Sequence, residues 1–332
     1  MQTPAITIVT PSLNQGDYIE QTICSVLEQK LPNLEYIVID GGSTDGTVDV
    51  LRRYESYLAH WVSEPDRGQA DAINKGFSLG TGELCGYLNS DDLYEPGSLA
   101  RVIDDFRTGP DRAWHAYPVR DFAVDGLRDL HTAPWWSRRL GRLRPEAVER
   151  LSNDLFHWVL GTVGLHQPGV FWRRDQWARV GGFDSRYHYA FDRRFFMSLV
   201  SAGYSLVCHD GPTVARFRLH ERSKTGTQMK GVDNVFARER IEIADEFERY
   251  LSTNDRRLAR RWRAEDAVSA GWRMFRDGVS RRNCCAWLGR VALSKPEALA
   301  SRYFWGSALR FLVQARGKRR SVRHAGPGCG SP

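Results

Sequence analysis

Short apolar runs alternate with helix-length segments of mixed polarity near the N-terminus, and this alternation leaves the chain few possible folds. The runs "AITIVT", "LEYIVID", "HWVSE" and "LCGYLNS" are separated by the segments Tyr18 to Gln29, Asp45 to Tyr57 and Gly68 to Leu79. Each run has strand length and little internal alternation, as strands buried on both faces do. Helix-length segments between them make βαβ units. The expected fold is therefore α/β, a Rossmann-like, mainly parallel mixed sheet with helices on both faces. Sites in such sheets form at the carboxyl ends of the strands.

Beyond Asp105 the pattern loosens. "AWHAYPVRDFAVDGLRDLHT" reads as a hairpin about Asp125-Gly126, and "APWWSRRLGRLRPEAVERLSNDLFHWVLGTVG" as an amphipathic helical insertion over about 133–165. The sheet is expected to resume at "GVFWRR" and to finish with "SLVCHD" and "TVARFRLH". These readings make 1–228 one domain, 229–316 a basic helical extension and 317–332 a disordered tail.

The net charge of +7 is unevenly placed: from Leu251 onward there are 18 Lys and Arg against 5 Asp and Glu. The positive charge thus belongs to the C-terminal part and says little about the site. With 42% hydrophobic and 26% charged residues the chain can bury a large core, which excludes disorder by composition. The 6 cysteines are scattered without C-x-x-C pairs, which fits a reducing, cytoplasmic compartment. The first residues lack the pattern of a cleaved signal, and no apolar run approaches the ~20 residues needed to cross a bilayer.

The loops after the apolar runs carry the chemistry. In "TPSLNQGDYIEQ", Pro11, Ser12 and Asn14 make a turn and Gly16 permits close backbone approach. In "IDGGSTDGT", Asp40 ends a strand and Asp45 precedes a helix, where it reads as a cap. The G-x-G-x-x-G fingerprint of dinucleotide folds is absent, but an acid at a strand end can still bind a ribose hydroxyl or a base N–H. "SEPDRGQADAINKG" offers Asp66 and Arg67, the latter suited to a diphosphate or to surface ion pairs, and Asp71 and Asn74 share a helix face.

"GYLNSDDLYEP" ends an apolar run with Asn89, Ser90, Asp91 and Asp92. Adjacent carboxylates repel and resist leaving water unless a cation or donors compensate. Mg²⁺ or Mn²⁺ held by one or two carboxylates and phosphate oxygens would do so. A pair of helix-capping acids before Pro96 is the plainer alternative.

Taken in order and spacing, "ITIVTPSLNQGDYIEQTICSVLEQ", "LEYIVIDGGSTDGT", "EPDRGQADAINKGFSLGTGE" and "YLNSDDLYEPGSL" resemble the family 2 inverting glycosyltransferases of GT-A fold. The likeness continues through "QPGVFWRRDQW", "VGGFDSRYHYAFDRRFF" and "ARFRLHERSKT". It implies nucleotide-sugar contacts from Thr10, Pro11, Ser12, Asn14, Asp40, Asp66, Arg67, Asn74, Asn89, Ser90, Asp91 and Lys224, with Asp40 on the nucleoside base. It implies a divalent metal, Mg²⁺ or Mn²⁺, on Asp91, Asp92 and His220, although Asn89 stands where the family's first Asp often does. Asp192 matches the catalytic base, and Arg194 replaces an acid common two residues later. His166 and Gln167 fall on the acceptor side.

The reaction so implied moves a sugar from a nucleoside diphosphate sugar, with uridine expected, to a hydroxyl of a glycan or lipid-linked acceptor, as in cell-surface polysaccharide or glycolipid synthesis. Asn89 and Arg194 also motivate a second reading, a donor-binding protein that has lost catalysis. For the basic extension, packing or peripheral contact with an anionic membrane at its inner face is expected, and no nucleic-acid motif is evident.

Overall fold

A computed structural model describes residues 5–123, 129–131, 145–161, 163–220, 223–224, 235–261, 263–264, 281–294, 299 and 305. The first four apolar runs are strands: β1 (Ile6–Ser12), β2 (Leu34–Asp40), β3 (His60–Ser63) and β4 (Leu84–Tyr87). β1 pairs in parallel with both β2 and β4, and β2 with β3. Between them run α1 (Ile19–Leu27), α2 (Thr47–Tyr54) and α3 (Gln69–Leu79), inside the segments expected to be helical. β1 is buried along its whole length, as a strand covered on both faces must be. α3 approaches it so closely that a Cβ on Gly76 would lie 2.5 Å from Val9 Cγ1, so this packing admits only glycine there.

The chain continues through β5 (Leu93–Tyr94), α4 (Ser98–Thr108), β6 (Ala113–Ala116), β7 (Val119–Ala123) and β8 (Asp129–His131). Two helices of the insertion follow, α5 (Pro145–Ser152) and α6 (Leu155–Leu160); residues 133–144 lie outside the described residues. Then come β9 (Val170–Arg173), α7 (Arg174–Val180), α8 (Phe191–Ser201), β10 (Ser205–Cys208) and β11 (Ala215–Leu219).

The large sheet has the order β10-β6-β9-β4-β1-β2-β3, parallel except for β9, which runs antiparallel between β4 and β6. β7 and β8 pair antiparallel, as the hairpin about Asp125-Gly126 requires, and its turn lies outside the described residues. β11 departs from expectation. Instead of closing the large sheet it pairs with β5 and β7 in a second sheet of order β5-β11-β7-β8. Its sequence explains why: Arg216 and Arg218 alternate with Ala215, Phe217 and Leu219, a period that suits a strand with two unlike faces rather than one covered twice. The two guanidinium groups sit 4.6 and 4.5 Å from the Phe122 ring of β7.

Contacts divide the chain into two units, the first ending at Leu251 and the second starting at Ser252. The division falls later than the expected boundary at 228, because α9 (Val235–Glu248) belongs to the first unit. The second unit contains α10 (Arg281–Ser294). The tail, 317–332, lies outside the described residues. Among the described residues no helix is long and apolar enough to cross a membrane.

Candidate active site

The parallel strands end in register, Ser12 beside Asp40 and Asp40 beside Ser63, so their carboxyl ends form one rim. A cavity of about 590 Å³ opens there, within the range of small-molecule sites. Of the expected residues, Pro11, Ser12, Asp66, Asn89, Ser90, Asp91, His166, Gln167, Asp192 and Lys224 line it. They come from β1, the loops after β3 and β4, the approach to β9, the first turn of α8 and the segment after β11. Among the described residues the Ser12 hydroxyl and Gln15 Oε1, buried in this wall, find no hydrogen-bond partner, which native interiors rarely tolerate unless a ligand or water completes them.

Several expected contacts are instead parts of the frame. Asp40 is fully buried and accepts from Ser43 N (2.8 Å), Gly42 N (3.2 Å) and the hydroxyls of Ser43 (2.5 Å) and Ser63 (2.7 Å). Its carboxylate shapes the Gly-Gly turn. Thr10 is buried against the Tyr36 hydroxyl at 3.0 Å. Asn14, at φ 53°, joins the loops after β1 and β2 by accepting from Thr44 N at 2.9 Å. Asn74 clamps Phe183, donating to its carbonyl at 2.6 Å and accepting from its N–H at 2.9 Å. Arg67 turns outward, 78% exposed, to pair with Asp71 at 2.8 Å. In each case a partner within the protein already engages the polar group.

The acidic pair divides its labour. Asp91 faces the cavity, and His220 Nε2 lies 2.8 Å from its Oδ2. Asp92 is fully buried behind it, Oδ1 accepting from Arg218 N at 2.9 Å and Oδ2 from Asn89 Nδ2 at 3.2 Å. Burial and the neighbouring Asp91 hold the Asp92 carboxyl well above the usual carboxylate range. Arg218, only 2% exposed, compensates from below: Nε donates to the Asp91 carbonyl at 2.7 Å, and Nη2 to Gln21 Oε1 at 2.8 Å. A buried cation thus answers the two like charges.

Among the described residues no three His, Cys, Asp or Glu side chains converge as a metal-binding group. Mg²⁺ and Mn²⁺ need fewer protein ligands when phosphate oxygens and waters complete the shell. Asp91 fits that chemistry. Asp92 does not, since both its oxygens are used inside the wall. His220 lies behind Asp91 and orients it rather than reaching the cavity itself.

Asn89 joins this arrangement to the C-terminal side. Gln69 Nε2 donates to Asn89 Oδ1 at 2.6 Å, and Gln69 Oε1 accepts from Lys224 Nζ at 3.1 Å. An amide can accept from Gln69 and donate to Asp92 at once; a carboxylate cannot.

Asp192 sits in the first turn of α8, half-buried, with Oδ1 accepting from Arg193 N at 2.6 Å. Burial pushes its carboxyl up to about 6, against the pull of Arg193 and Lys224. The two arginines that follow serve the frame. Arg193 donates to the carbonyls of Val163 (2.8 Å) and Trp158, while Arg194 bridges Asp184 (3.2 Å) and Glu246 (2.7 Å). Arg194 therefore stands in place of an acid because α9 supplies a carboxylate opposite it.

Sequence reading missed other wall residues. Asp121 lies 3.7 Å from His166 Nε2, and Tyr189, Phe191, Phe217 and Phe236 add aromatic surface on that side. Asp121 stands in a hairpin whose turn drew notice while its strand did not.

Comparison with known proteins agrees with this geometry. The model of glycosyl transferase family 2 matches residues 7–195, more than half of the chain. The chain belongs to glycosyltransferase family 2, and its fold is GT-A. It is 30% identical over 227 residues to an uncharacterized glycosyltransferase of Mycobacterium tuberculosis (strain H37Rv), covering 67% of this chain and 76% of that one. The putative teichuronic acid biosynthesis glycosyltransferase TuaG of Bacillus subtilis is 39% identical over 104 residues, 30% of this chain and 41% of its own. Two solved structures share the fold. One is S. aureus TarS 1-349 in complex with UDP-GlcNAc (TM-score 0.53, 17% identity, 93% of this chain and 81% of that one). The other is the mannosyltransferase PcManGT of Pyrobaculum calidifontis with GDP-Man and Mn²⁺ (TM-score 0.51, 19% identity, 94% and 88%).

Proposed function

We propose that this glycosyltransferase moves a sugar, with inversion, from a uridine diphosphate sugar to an acceptor hydroxyl of a cell-surface glycan or glycolipid. The observation that carries the reading is that Asp192 and Asp91 line one cavity from separate elements, Asp192 with its carboxyl raised by burial and Asp91 backed by His220. A carboxylate with a pKa near the working pH suits general-base removal of the acceptor proton. Ser12 and Gln15 offer unsatisfied polar atoms to the donor, and Lys224 places a cation at the same cavity. A divalent metal bound at Asp91 would neutralise charge building on the departing diphosphate. His166 and Asp121 lie among aromatic side chains and suit the acceptor.

We favour the active enzyme over the impaired-enzyme reading, because Asn89 and Arg194 each have bonding partners that suit them where the family often carries acids. TarS, crystallised with UDP-GlcNAc, and TuaG, named for teichuronic acid biosynthesis, support the donor and acceptor classes. The basic second unit is proposed to meet an anionic membrane surface, which salt-sensitive binding to anionic vesicles tests. The reaction is tested by thermal stabilisation with UDP- and GDP-sugars plus Mn²⁺, followed by nucleotide release with the donor that binds. Asp192→Asn should abolish release to an acceptor and keep donor binding; retained turnover would remove Asp192 from the mechanism.

A further inference from the structure

Glu239 stands on α9, well past the family-matched residues 7–195. Its side chain is nevertheless buried, 6% exposed, and aimed at the backbone just ahead of Asp192. Oε1 accepts from His188 N at 2.8 Å, and Oε2 accepts from both Tyr189 N and Ala190 N at 2.8 Å. Ala190 is the N-cap of α8 and has no side-chain oxygen of its own to satisfy the helix start. A carboxylate from a distant helix does that work, favoured by the positive end of α8.

The same segment is held from the opposite side. Gly68, at φ +110°, opens α3, and a Cβ there would lie 3.2 Å from His188 Nδ1. Residues 188–190 are thus clamped between the start of α3 and Glu239, and Tyr189 and Phe191 run on into the cavity wall.

We propose that Glu239 is a positioning residue for Asp192: it fixes the backbone from which the base projects. The inference rests on the reading of Asp192 as base. A misplacement of about 1 Å can cost about 100-fold in rate, so three short bonds at this place control turnover more than stability. Gln in place of Glu keeps one acceptor oxygen and loses the other, releasing at least one of the three N–H groups.

The test uses the full chain carrying Glu239→Gln, with Glu35→Gln as control. Glu35 also accepts from several donors, among them Thr7 Oγ1 (2.6 Å) and Thr81 N (2.7 Å), but at the opposite ends of the strands. For Glu239→Gln we expect kcat to fall about 10- to 100-fold with donor KM within about threefold, while Glu35→Gln at a similar loss of Tm keeps kcat. Turnover is read as UDP release from the UDP-sugar that the enzyme accepts with Mn²⁺. Independently of turnover, the Asp192 carboxyl is titrated by ¹³C NMR. The groups facing it are Arg193, Lys224 and Tyr87. In Glu239→Gln its midpoint should move from about 6 toward the ordinary carboxylate range as water reaches the loosened turn. An unchanged midpoint, or an equal kcat loss in Glu35→Gln, overturns the proposal. Turnover surviving in Asp192→Asn would instead overturn the assignment of the base, leaving the titration to judge Glu239 by itself.

Discussion

Asn89 donates through Nδ2 to the buried carboxylate of Asp92 at 3.2 Å, so the residue that breaks the family's acidic pattern is what keeps Asp92 satisfied. Restoring the acid by Asn89→Asp would remove that donor and add a further acid beside Asp91 and Asp92. The cost of a buried group left unsatisfied is about 1–3 kcal/mol. We expect a fall in Tm and weaker donor binding, read by thermal denaturation and calorimetry. Tighter donor binding at unchanged Tm would contradict this account of Asn89.

Asp192 gives a pH signature of definite sign. Burial raises its carboxyl to about 6 in the folded chain, so if Asp192 is the proposed base, turnover should climb with pH through that value as it ionises. Stability moves the other way. A carboxyl whose folded pKa exceeds its unfolded one favours the fold fully below the unfolded value, and this contribution is lost as pH rises through about 6. Asp192→Asn should therefore raise Tm at pH 7.5 by a few degrees and by much less at pH 4. An equal effect at both pH values would mean that Asp192 is not held in its raised state.

Arg218 is the counter-charge to the acidic pair, and its fork serves two directions, the Asp91 carbonyl and Gln21. Arg218→Lys keeps the charge but cannot reach both acceptors in one plane. Arg218→Leu leaves the acids without their cation. Removing one partner from a buried charged arrangement costs about 3–5 kcal/mol. Urea denaturation should rank the leucine variant lowest, the lysine variant between, and a leucine variant as stable as wild type would refute the role.

Arg194→Asp recreates the acid common in the family yet sets it between Asp184 and Glu246, the two carboxylates that Arg194 now bridges. The expected result is loss of both Tm and turnover. Combining it with Glu246→Arg, which reverses the pair, should recover part of the Tm; a double variant no better than Arg194→Asp alone would show that the two sites do not couple.

The large sheet was legible because strands covered twice must be apolar almost throughout, and β1, β2 and β4 are. β11 was misplaced in the sheet because its length suits any strand, while its alternating arginines, which do distinguish it, needed the Phe122 ring of β7 to explain them. At the site, motif position singled out Asp91, Ser12, Asp192 and Lys224, all of which line the cavity. It could not separate them from Asp40, Asn74 and Asp92, whose polar atoms are taken by neighbours that only the fold brings near. Glu239 and Glu246 were invisible for a related reason: acids on a helix ordinarily face water, and no local pattern marks those that turn inward.

The dependence of α8 on Glu239 and Glu246 also fixes an order of events during synthesis. A ribosome delivers the chain from the N-terminus, and β1 to β4 can pair before α9 exists. The turn bearing Asp192 is complete only once residue 246 has left the exit tunnel, 54 residues after Asp192 has left it. A nascent chain halted in that interval would hold the strand rim already formed beside an Asp192 turn not yet fastened, a cavity finished on one side only.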